Sequence, residues 1–182
     1  MNALVHAIEI NDRHGVGIFL RRLFGNGDDF ILFRSRTLYA GENAFGLHEE
    51  FLGDRFANAG ELRERLRNVV RHMPIERILC VPYYPEDFRH ALLLKEVSGA
   101  PLCTYLMDDQ NIFTREVGDA AVGALLRASD LRLGISPQMC LAYERKFGCS
   151  VAWLPPVVEK QRSFSAGPEV AGRAAMIGNV WS

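Results

Sequence analysis

Short apolar runs alternate with amphipathic helical segments along this chain, and the alternation restricts the fold more than any other feature of the sequence. Runs such as Leu102–Met107 are almost continuously apolar, as is typical of strands buried on both faces of a sheet. Strands that are joined by helices form right-handed βαβ crossovers in a parallel sheet. The sequence therefore predicts an α/β domain with an open, mainly parallel sheet and helices on both faces.

The boundaries of the predicted elements follow from apolar periodicity and capping residues. The predicted strands are Leu4–Ile10, Phe30–Phe33, Arg77–Val81, Leu102–Met107, Leu131–Ile135 and Val151–Leu154. The predicted helices are Ile18–Phe24, Glu61–Met73, Pro85 to about Val97, Asp119–Ala128 and Pro137–Phe147. Gly99 and Gly148 end two of these helices, and Ser136 is the N-cap of the last one. Thr37–Asn58 carries glycines without a clear period and is predicted to be irregular.

The predicted domain organisation changes after Pro156. Residues 1–156 would form the Rossmann-like domain, and the polar residues 157–173 would form a linker. Ala174–Val180 has the pattern of a strand and no helix after it, which leaves two interpretations open. Residues 174–182 would begin a second domain that is otherwise absent, or they would add an edge strand to the same sheet. In the first case we expect a poorly accommodated strand that either docks at a sheet edge or pairs with a second copy of the chain, which would give a dimer.

Charge and hydropathy restrict the class of protein. The formal net charge is −1, whereas a protein that binds nucleic acid through electrostatics is normally basic. No apolar run approaches the roughly 20 residues that span a bilayer. The first residues lack the basic start and long apolar stretch of a signal peptide. We therefore expect a cytoplasmic protein without a nucleic-acid partner.

The cysteines and histidines show no metal-binding pattern. None of the four cysteines forms a C-x-x-C pair, and Cys80 and Cys103 lie inside predicted strands, where a free thiol acts as a small hydrophobe. The five histidines have no spacing typical of metal ligands. The sequence therefore predicts reduced cysteines, no metal site and no bound cofactor.

The helix Glu61–Met73 carries arginines beside its apolar stripe, at Arg63, Arg65, Arg67 and Arg71. Two interpretations are open, a solvated basic face and a peripheral surface for anionic lipid. Glutamates on the same helix dilute the positive charge, and the apolar stripe is needed for the core, so the solvated face is favoured.

Two acidic residues follow the apolar run Leu102–Met107 directly. Ligands of open α/β sheets bind outside the carboxyl ends of the strands, and Asp108 and Asp109 occupy such an end. A carboxylate there can take the proton of an attacking substrate hydroxyl. The alternative is a solvated turn in which one aspartate caps the next helix.

Glycines and tyrosines add to the same predicted edge. Gly15 and Gly17 open a helix after the first strand, where backbone N–H groups and the helix dipole favour a phosphate. The pattern is incomplete, because Leu20 stands where a dinucleotide fingerprint needs glycine, and a plain tight turn is the alternative. Tyr83 and Tyr84 follow another predicted strand, where they would contact a sugar ring or simply pack half-buried.

Several segments resemble the N-terminal domain of GT-B glycosyltransferases, especially those related to family 4. They are Gly15–Leu23, Tyr105–Asp109, Ala128–Ser136, Tyr143–Gly148, Pro155–Val158 and Ile177–Trp181. The last of these resembles the opening strand of the family's C-terminal domain. The resemblance therefore implies the acceptor-side half of an enzyme that transfers a sugar from a nucleotide-sugar donor to an acceptor hydroxyl.

The resemblance also implies roles for individual residues. Gly15 and Gly17 would approach the donor phosphates, with Ser136 in the same donor-binding group. Asp108, with Asp109 behind it, would be the catalytic base or acceptor anchor.

Substrate contacts would come from Tyr83, Tyr84 and Asn111, and metal ions are generally not needed in this fold class. The alternative function is a stand-alone Rossmann-like ligand-binding module without catalysis. A weaker alternative is another GT-B enzyme, such as a sugar-nucleotide epimerase.

Overall fold

The computed structural model describes residues 1–53 and 58–156, in which helices and strands alternate as the sequence predicts, except between Arg34 and His48, where no helix separates two strands. The strands are β1 (Asn2–Val5), β2 (Phe30–Arg34), β3 (His48–Phe51), β4 (Arg77–Cys80), β5 (Leu102–Leu106), β6 (Leu131–Gly134) and β7 (Ala152–Trp153). The helices are α1 (Gly15–Phe24), α2 (Ala59–His72), α3 (Pro85–Ser98), α4 (Asp119–Ala128) and α5 (Pro137–Phe147).

All seven strands form one parallel sheet in the order β3-β2-β1-β4-β5-β6-β7. This confirms the predicted α/β class and the open Rossmann-like sheet, which is wholly rather than mainly parallel. The chain runs outward from β1 to β3 and then returns to β4 on the other side of β1. Strand order therefore reverses between β1 and β4, and ligands of such sheets bind in the crevice outside the carboxyl ends of the strands at that point.

Helices cover both faces of the sheet, as predicted. On one face α1 packs through Phe19 and Leu20 against Leu4 and Leu32. On the other face α2, α3 and α4 pack against the alternate side chains of the same strands, among them Val5. Successive strand residues point to opposite faces, so the nearly continuous apolar runs fill both cores.

The structure corrects the predicted boundaries at the first strand. β1 ends at Val5, and the predicted continuation through Ile10 is a buried loop that feeds α1, which begins at Gly15 instead of Ile18. The Ala7 carbonyl accepts hydrogen bonds from the backbone of Ser35 and Arg36, which draws the loop out of the sheet ladder. Burial without strand pairing explains why an apolar run was mistaken for a longer strand.

Part of the region predicted to be irregular, Thr37–Asn58, contains the strand β3. Its sequence, His48-Glu-Glu-Phe51, lacks an apolar run because the strand lies at the edge of the sheet, with exposed ends. The predicted linker 157–173 and the predicted strand within 174–182, with its dimer, lie outside the described residues.

No helix among the described residues is long and apolar enough to cross a membrane. The arginines of α2 are largely paired with acids: Arg63 with Glu96 at 2.8 Å, Arg65 with Glu50, and Arg67 with Glu64 at 3.6 Å. These ion pairs favour the solvated basic face over a surface for anionic lipid.

Helix α3 buries two titratable side chains with unpaired polar atoms. His90 is 1% exposed, and neither of its ring nitrogens has a hydrogen-bond partner. Burial, reinforced by the nearby charge of Arg89, lowers its pKa to about 4. Asp87 accepts the backbone N–H groups of Tyr83 and Tyr84, and burial raises its pKa to about 7.

We predict that His90→Leu stabilises the protein, and more so at acidic pH. The unfolded chain binds a proton near pH 6.5 while folded His90 stays neutral to about pH 4, so wild-type stability falls as pH decreases through this window. At pH 7.5 the free energy of unfolding of the variant should exceed that of the wild type by about 1 kcal/mol, because the substitution removes unpaired buried nitrogens. At pH 5 the gain should grow by roughly 1–2 kcal/mol. Urea unfolding at both pH values measures the difference.

Asp87 has the opposite pH dependence but is present in both proteins, so the comparison isolates His90. His72→Leu on the exposed surface of α2 is the control, since it removes no buried imidazole. Equal gains at the two pH values would contradict the prediction.

Candidate functional site

A cleft of about 970 Å³ opens where strand order reverses, at the carboxyl edge of the sheet. The loops after β1, β2, β4 and β5 and the first turn of α1 form most of its walls. We call it the switch cleft and define it by six of its lining residues: His6, Gly15, Tyr39, Tyr83, Asp108 and Glu116. Four loops that are far apart in the sequence thus meet at one place because parallel strands all end at the same edge.

The Asp108 side chain is exposed in the switch cleft. One carboxylate oxygen accepts the backbone N–H of Asp109 at 2.9 Å, and no ion pair with it occurs among the described residues. Its carboxylate therefore keeps acceptor capacity for a ligand.

Asp109 has a different arrangement, because its carboxylate organises the loop that follows. It accepts backbone N–H groups from Asn111, Ile112 and Phe113 at 2.7–3.1 Å, and the hydroxyl of Tyr143 on α5 at 2.9 Å. Partial burial acts to raise the pKa of Asp109, but these donors outweigh it and hold the pKa below its usual value. The side chain is thereby committed to the loop 109–114.

Asn111, predicted to contact substrate, is buried beneath this loop and does not line the switch cleft. Its amide nitrogen donates to the Val117 carbonyl at 2.7 Å and to the Asp119 carboxylate at 2.9 Å. Asn111 therefore joins the loop to the start of α4. Sequence reasoning correctly placed it after a strand, but burial of its side chain depends on the loop's tertiary path.

We predict that Asp109→Asn destabilises the fold by about 1–3 kcal/mol, since an amide nitrogen would face backbone donors. Asp108→Asn is the matched control and should change the free energy of unfolding by less than about 0.5 kcal/mol. The effect of Asp109→Asn should shrink as pH falls through the lowered pKa of Asp109, because protonation removes the same anion from the wild type. Urea unfolding of the wild type and both variants from pH 7 to pH 3 measures the loss of stability and its dependence on pH. A pH-independent difference would contradict this account.

The two glycines at the start of α1 have separate structural roles. Gly15 is exposed and lines the switch cleft, and a Cβ there would meet no heavy atom within 4 Å. Gly17 is buried, and a Cβ there would lie 2.0 Å from the backbone oxygen of Asn11. Gly17 is therefore required for packing, whereas Gly15 leaves the first turn of α1 open to a ligand. Backbone N–H groups in a first helical turn lack intrahelical acceptors and favour anions.

We predict that Gly17→Ala lowers the free energy of unfolding by about 2–4 kcal/mol, because backbone must move to remove the clash with Asn11. Gly15→Ala should leave stability unchanged or raise it by less than about 1 kcal/mol. Chemical unfolding followed by circular dichroism compares the two variants. Equal stabilities would contradict the separation of roles.

The tyrosines after β4 both line the switch cleft. Burial, reinforced by the charge of Asp108, raises the pKa of Tyr83, so its hydroxyl stays protonated at neutral pH. The guanidinium of Arg36 lies 4.1 Å from the ring centroid of Tyr84, which fixes that ring at the rim. Both side chains thus offer aromatic surface and a hydroxyl to a ligand.

Ser136 lies at the carboxyl end of β6, but it does not line the switch cleft. Its hydroxyl accepts the backbone N–H of Met139 at 3.2 Å and so caps α5. The predicted N-cap is therefore present, while no contact with the cleft supports a place in a donor-binding group.

Glu9, which the sequence interpretation missed, forms the support for one wall of the cleft. Its fully buried carboxylate accepts three backbone N–H groups of the loop after β2, those of Leu38 (2.9 Å), Tyr39 (3.2 Å) and Gly41 (2.8 Å). Burial acts to raise the pKa of Glu9, but these donors outweigh it and lower the pKa. A glutamate inside an apolar run was the one sequence signal for this role, because buried carboxylates require partners.

His6 and His14 were also missed as site residues. Their rings stack with centroids 5.9 Å apart, and Tyr39 stacks on the far side of His14 at 5.2 Å. All three line the switch cleft, which gives it an aromatic wall. His6 falls within the run predicted as strand, so its sequence position gave no signal for a site.

Among the described residues, no group of three or more His, Cys, Asp or Glu side chains is placed to hold a metal ion. Comparison of the chain with protein-family models, curated proteins and solved structures finds no match. The fold and the switch cleft therefore define an α/β protein with an open crevice, and function has to be argued from the chemistry of that crevice.

Proposed function

We propose that this chain binds a sugar acceptor in the switch cleft, as the acceptor-side domain of a glycosyltransferase that uses a nucleotide-sugar donor. The observation that carries the proposal is the exposed carboxylate of Asp108 in the same cleft as an aromatic wall, beside the point where strand order reverses. The resemblance to GT-B enzymes supports the same assignment.

The chemistry of the cleft fits a polyhydroxylated ligand. Asp108 and Glu116 provide carboxylates, which accept hydrogen bonds from hydroxyl groups. Tyr39 and Tyr83 add aromatic surface, against which the apolar C–H face of a sugar ring packs. Carboxylates repel a phosphate, so these residues suit the acceptor better than the anionic donor.

In the proposed reaction, Asp108 accepts the proton of the acceptor hydroxyl as the hydroxyl oxygen bonds to the anomeric carbon of the donor sugar. The bond from that carbon to the nucleoside diphosphate breaks, and the diphosphate leaves with the bonding electron pair. Asp109 is a positioning residue, because its carboxylate holds the loop that carries Asp108. The first turn of α1 at Gly15 faces the donor phosphates, whose remaining contacts come from a donor-binding domain. The alternative is a binding module that uses the same cleft without catalysis. The two functions differ in whether the protein transfers sugar.

We predict that methyl α-D-mannopyranoside or methyl α-D-glucopyranoside binds in the switch cleft with an affinity that Asp108→Asn weakens about tenfold, the loss expected for a charge-assisted hydrogen bond. Chemical-shift titration of the ¹⁵N-labelled chain measures this, and shifts should cluster at Asp108, Tyr83 and Gly15. Asp28→Asn is the control, since Asp28 is exposed in the turn before β2, at the opposite edge of the sheet.

Nucleotide-sugar donors test whether this chain is the acceptor-side domain of the enzyme or the donor-binding one. The chain alone should bind uridine and guanosine diphosphate sugars only weakly, because few cationic groups line the described part of the cleft. Micromolar binding of either donor would contradict the acceptor-side assignment. In protein that also carries a donor-binding domain, Asp108→Asn should lower sugar transfer roughly 10²–10⁴-fold, as for a lost general base. Unchanged transfer would contradict that role of Asp108, whereas absence of sugar transfer by the wild-type protein would favour the binding module.

A further inference from the structure

His6 is fully buried, yet its ring forms part of the lining of the switch cleft. Its Nδ1 lies 2.8 Å from the backbone carbonyl oxygen of Val81, immediately after β4. A carbonyl oxygen only accepts hydrogen bonds, so Nδ1 carries the proton and donates it. In the neutral ring this leaves Nε2 unprotonated, with a lone pair that can accept a hydrogen bond.

The surrounding residues fix this ring in position. The ring of His14 stacks on one side of it, and Tyr83 contacts it edge-on with centroids 5.3 Å apart. His14 is itself fixed, because its Nε2 donates to the Glu9 carbonyl at 2.7 Å and its Nδ1 accepts the Gly17 N–H at 3.4 Å. The orientation of His6 is therefore determined by neighbours on two loops, the loop after β1 and the loop after β4.

The remaining nitrogen of His6, Nε2, is buried and has no hydrogen-bond partner in the described structure. Buried polar atoms are almost always paired, so an unpaired one in the lining of a cleft calls for a partner such as a ligand or an ordered water. The two nitrogens of His14 both have partners within the protein. The contrast between adjacent, stacked histidines singles out Nε2 of His6 as the atom left for a ligand.

A hydroxyl donor fits this nitrogen better than an anion or a proton. Burial, together with the neighbouring imidazole of His14, lowers the pKa of His6 to about 4, so the ring is neutral at physiological pH. A neutral unprotonated nitrogen accepts from O–H and N–H groups and offers nothing to a phosphate. The low pKa also makes it a weak base, which leaves proton removal to Asp108.

We infer that Nε2 of His6 accepts a hydrogen bond from one hydroxyl of the sugar acceptor and so fixes the acceptor's orientation relative to Asp108. The inference rests on the proposed function and adds a specificity-determining residue to it. His6 recognises the hydroxyl at one position of the sugar ring, so sugars that lack this hydroxyl bind more weakly.

Nitrogen NMR on chain labelled with ¹⁵N-histidine tests this at pH 7. Without ligand, His6 should show a protonated Nδ1 and an unprotonated Nε2. Saturating methyl α-D-mannopyranoside or methyl α-D-glucopyranoside should move the His6 Nε2 resonance upfield by several ppm. His14 is the internal control, and its nitrogens should shift far less because both are bonded within the protein.

The His6→Phe variant keeps an aromatic ring between His14 and Tyr83 but lacks the acceptor nitrogen. It should weaken glycoside binding about tenfold, with the chemical-shift pattern elsewhere retained. Deoxy glycosides identify the hydroxyl that His6 recognises. One of them should bind more weakly than its parent glycoside to the wild type, but not to His6→Phe. The ratio of wild-type to His6→Phe affinity should stay constant from pH 8 to pH 5.5, since His6 does not titrate there and Asp87, whose pKa is about 7, is common to both proteins.

The outcomes separate the two proposals. Glycoside binding that shifts Asp108 but leaves Nε2 of His6 unchanged would overturn the role of His6 and preserve the proposed function. Absence of glycoside binding would overturn both. A ratio of wild-type to His6→Phe affinity that rises as pH falls toward 5.5 would show that a charged His6 binds the ligand, which also contradicts the inference.

Discussion

The return of the chain from β3 to β4, across β1, is the constraint on which the rest of this structure depends. It parts the loops that follow β1 and β4, since their helices lie on opposite faces of the sheet, and a crevice opens between them. His6, Tyr83, Asp108 and the first turn of α1 at Gly15 all line this crevice. The residues to which we assign contacts with a ligand therefore meet there, whereas Asn111 and Ser136 lie outside it.

Two carboxylates at the same edge, the buried Glu9 and the partly buried Asp109, hold the loops that form walls of the cleft. Glu9 holds the loop after β2 through three backbone N–H groups, and Asp109 holds the loop after β5 in the same manner. Because backbone donors surround each anion, neither is free to act on a ligand. The neighbouring carboxylate of Asp108 keeps acceptor capacity for a ligand. The different roles of the two adjacent aspartates therefore follow from their hydrogen bonds.

The stacked histidines differ in the same way. His14 uses both ring nitrogens to cap α1 and to bind the Glu9 carbonyl, while His6 uses one and leaves the other unpaired. A polar group that stays unpaired in an otherwise satisfied wall marks where a ligand completes the structure. Asp108, His6 and the tyrosines together favour a hydroxyl-rich ligand over an anionic one.

The sequence by itself determined the α/β class, the parallel sheet, most element boundaries and the ends of the helices, because apolar periodicity and capping act over a few residues. It also placed Asp108 and Gly15 at strand and helix ends. Only the tertiary structure decided that Asn111 and Gly17 turn away from the cleft and that His6 and Glu9 belong to its wall. Those outcomes depend on contacts between loops far apart in the chain, such as Val81 with His6, and on whether a buried polar atom finds a partner there.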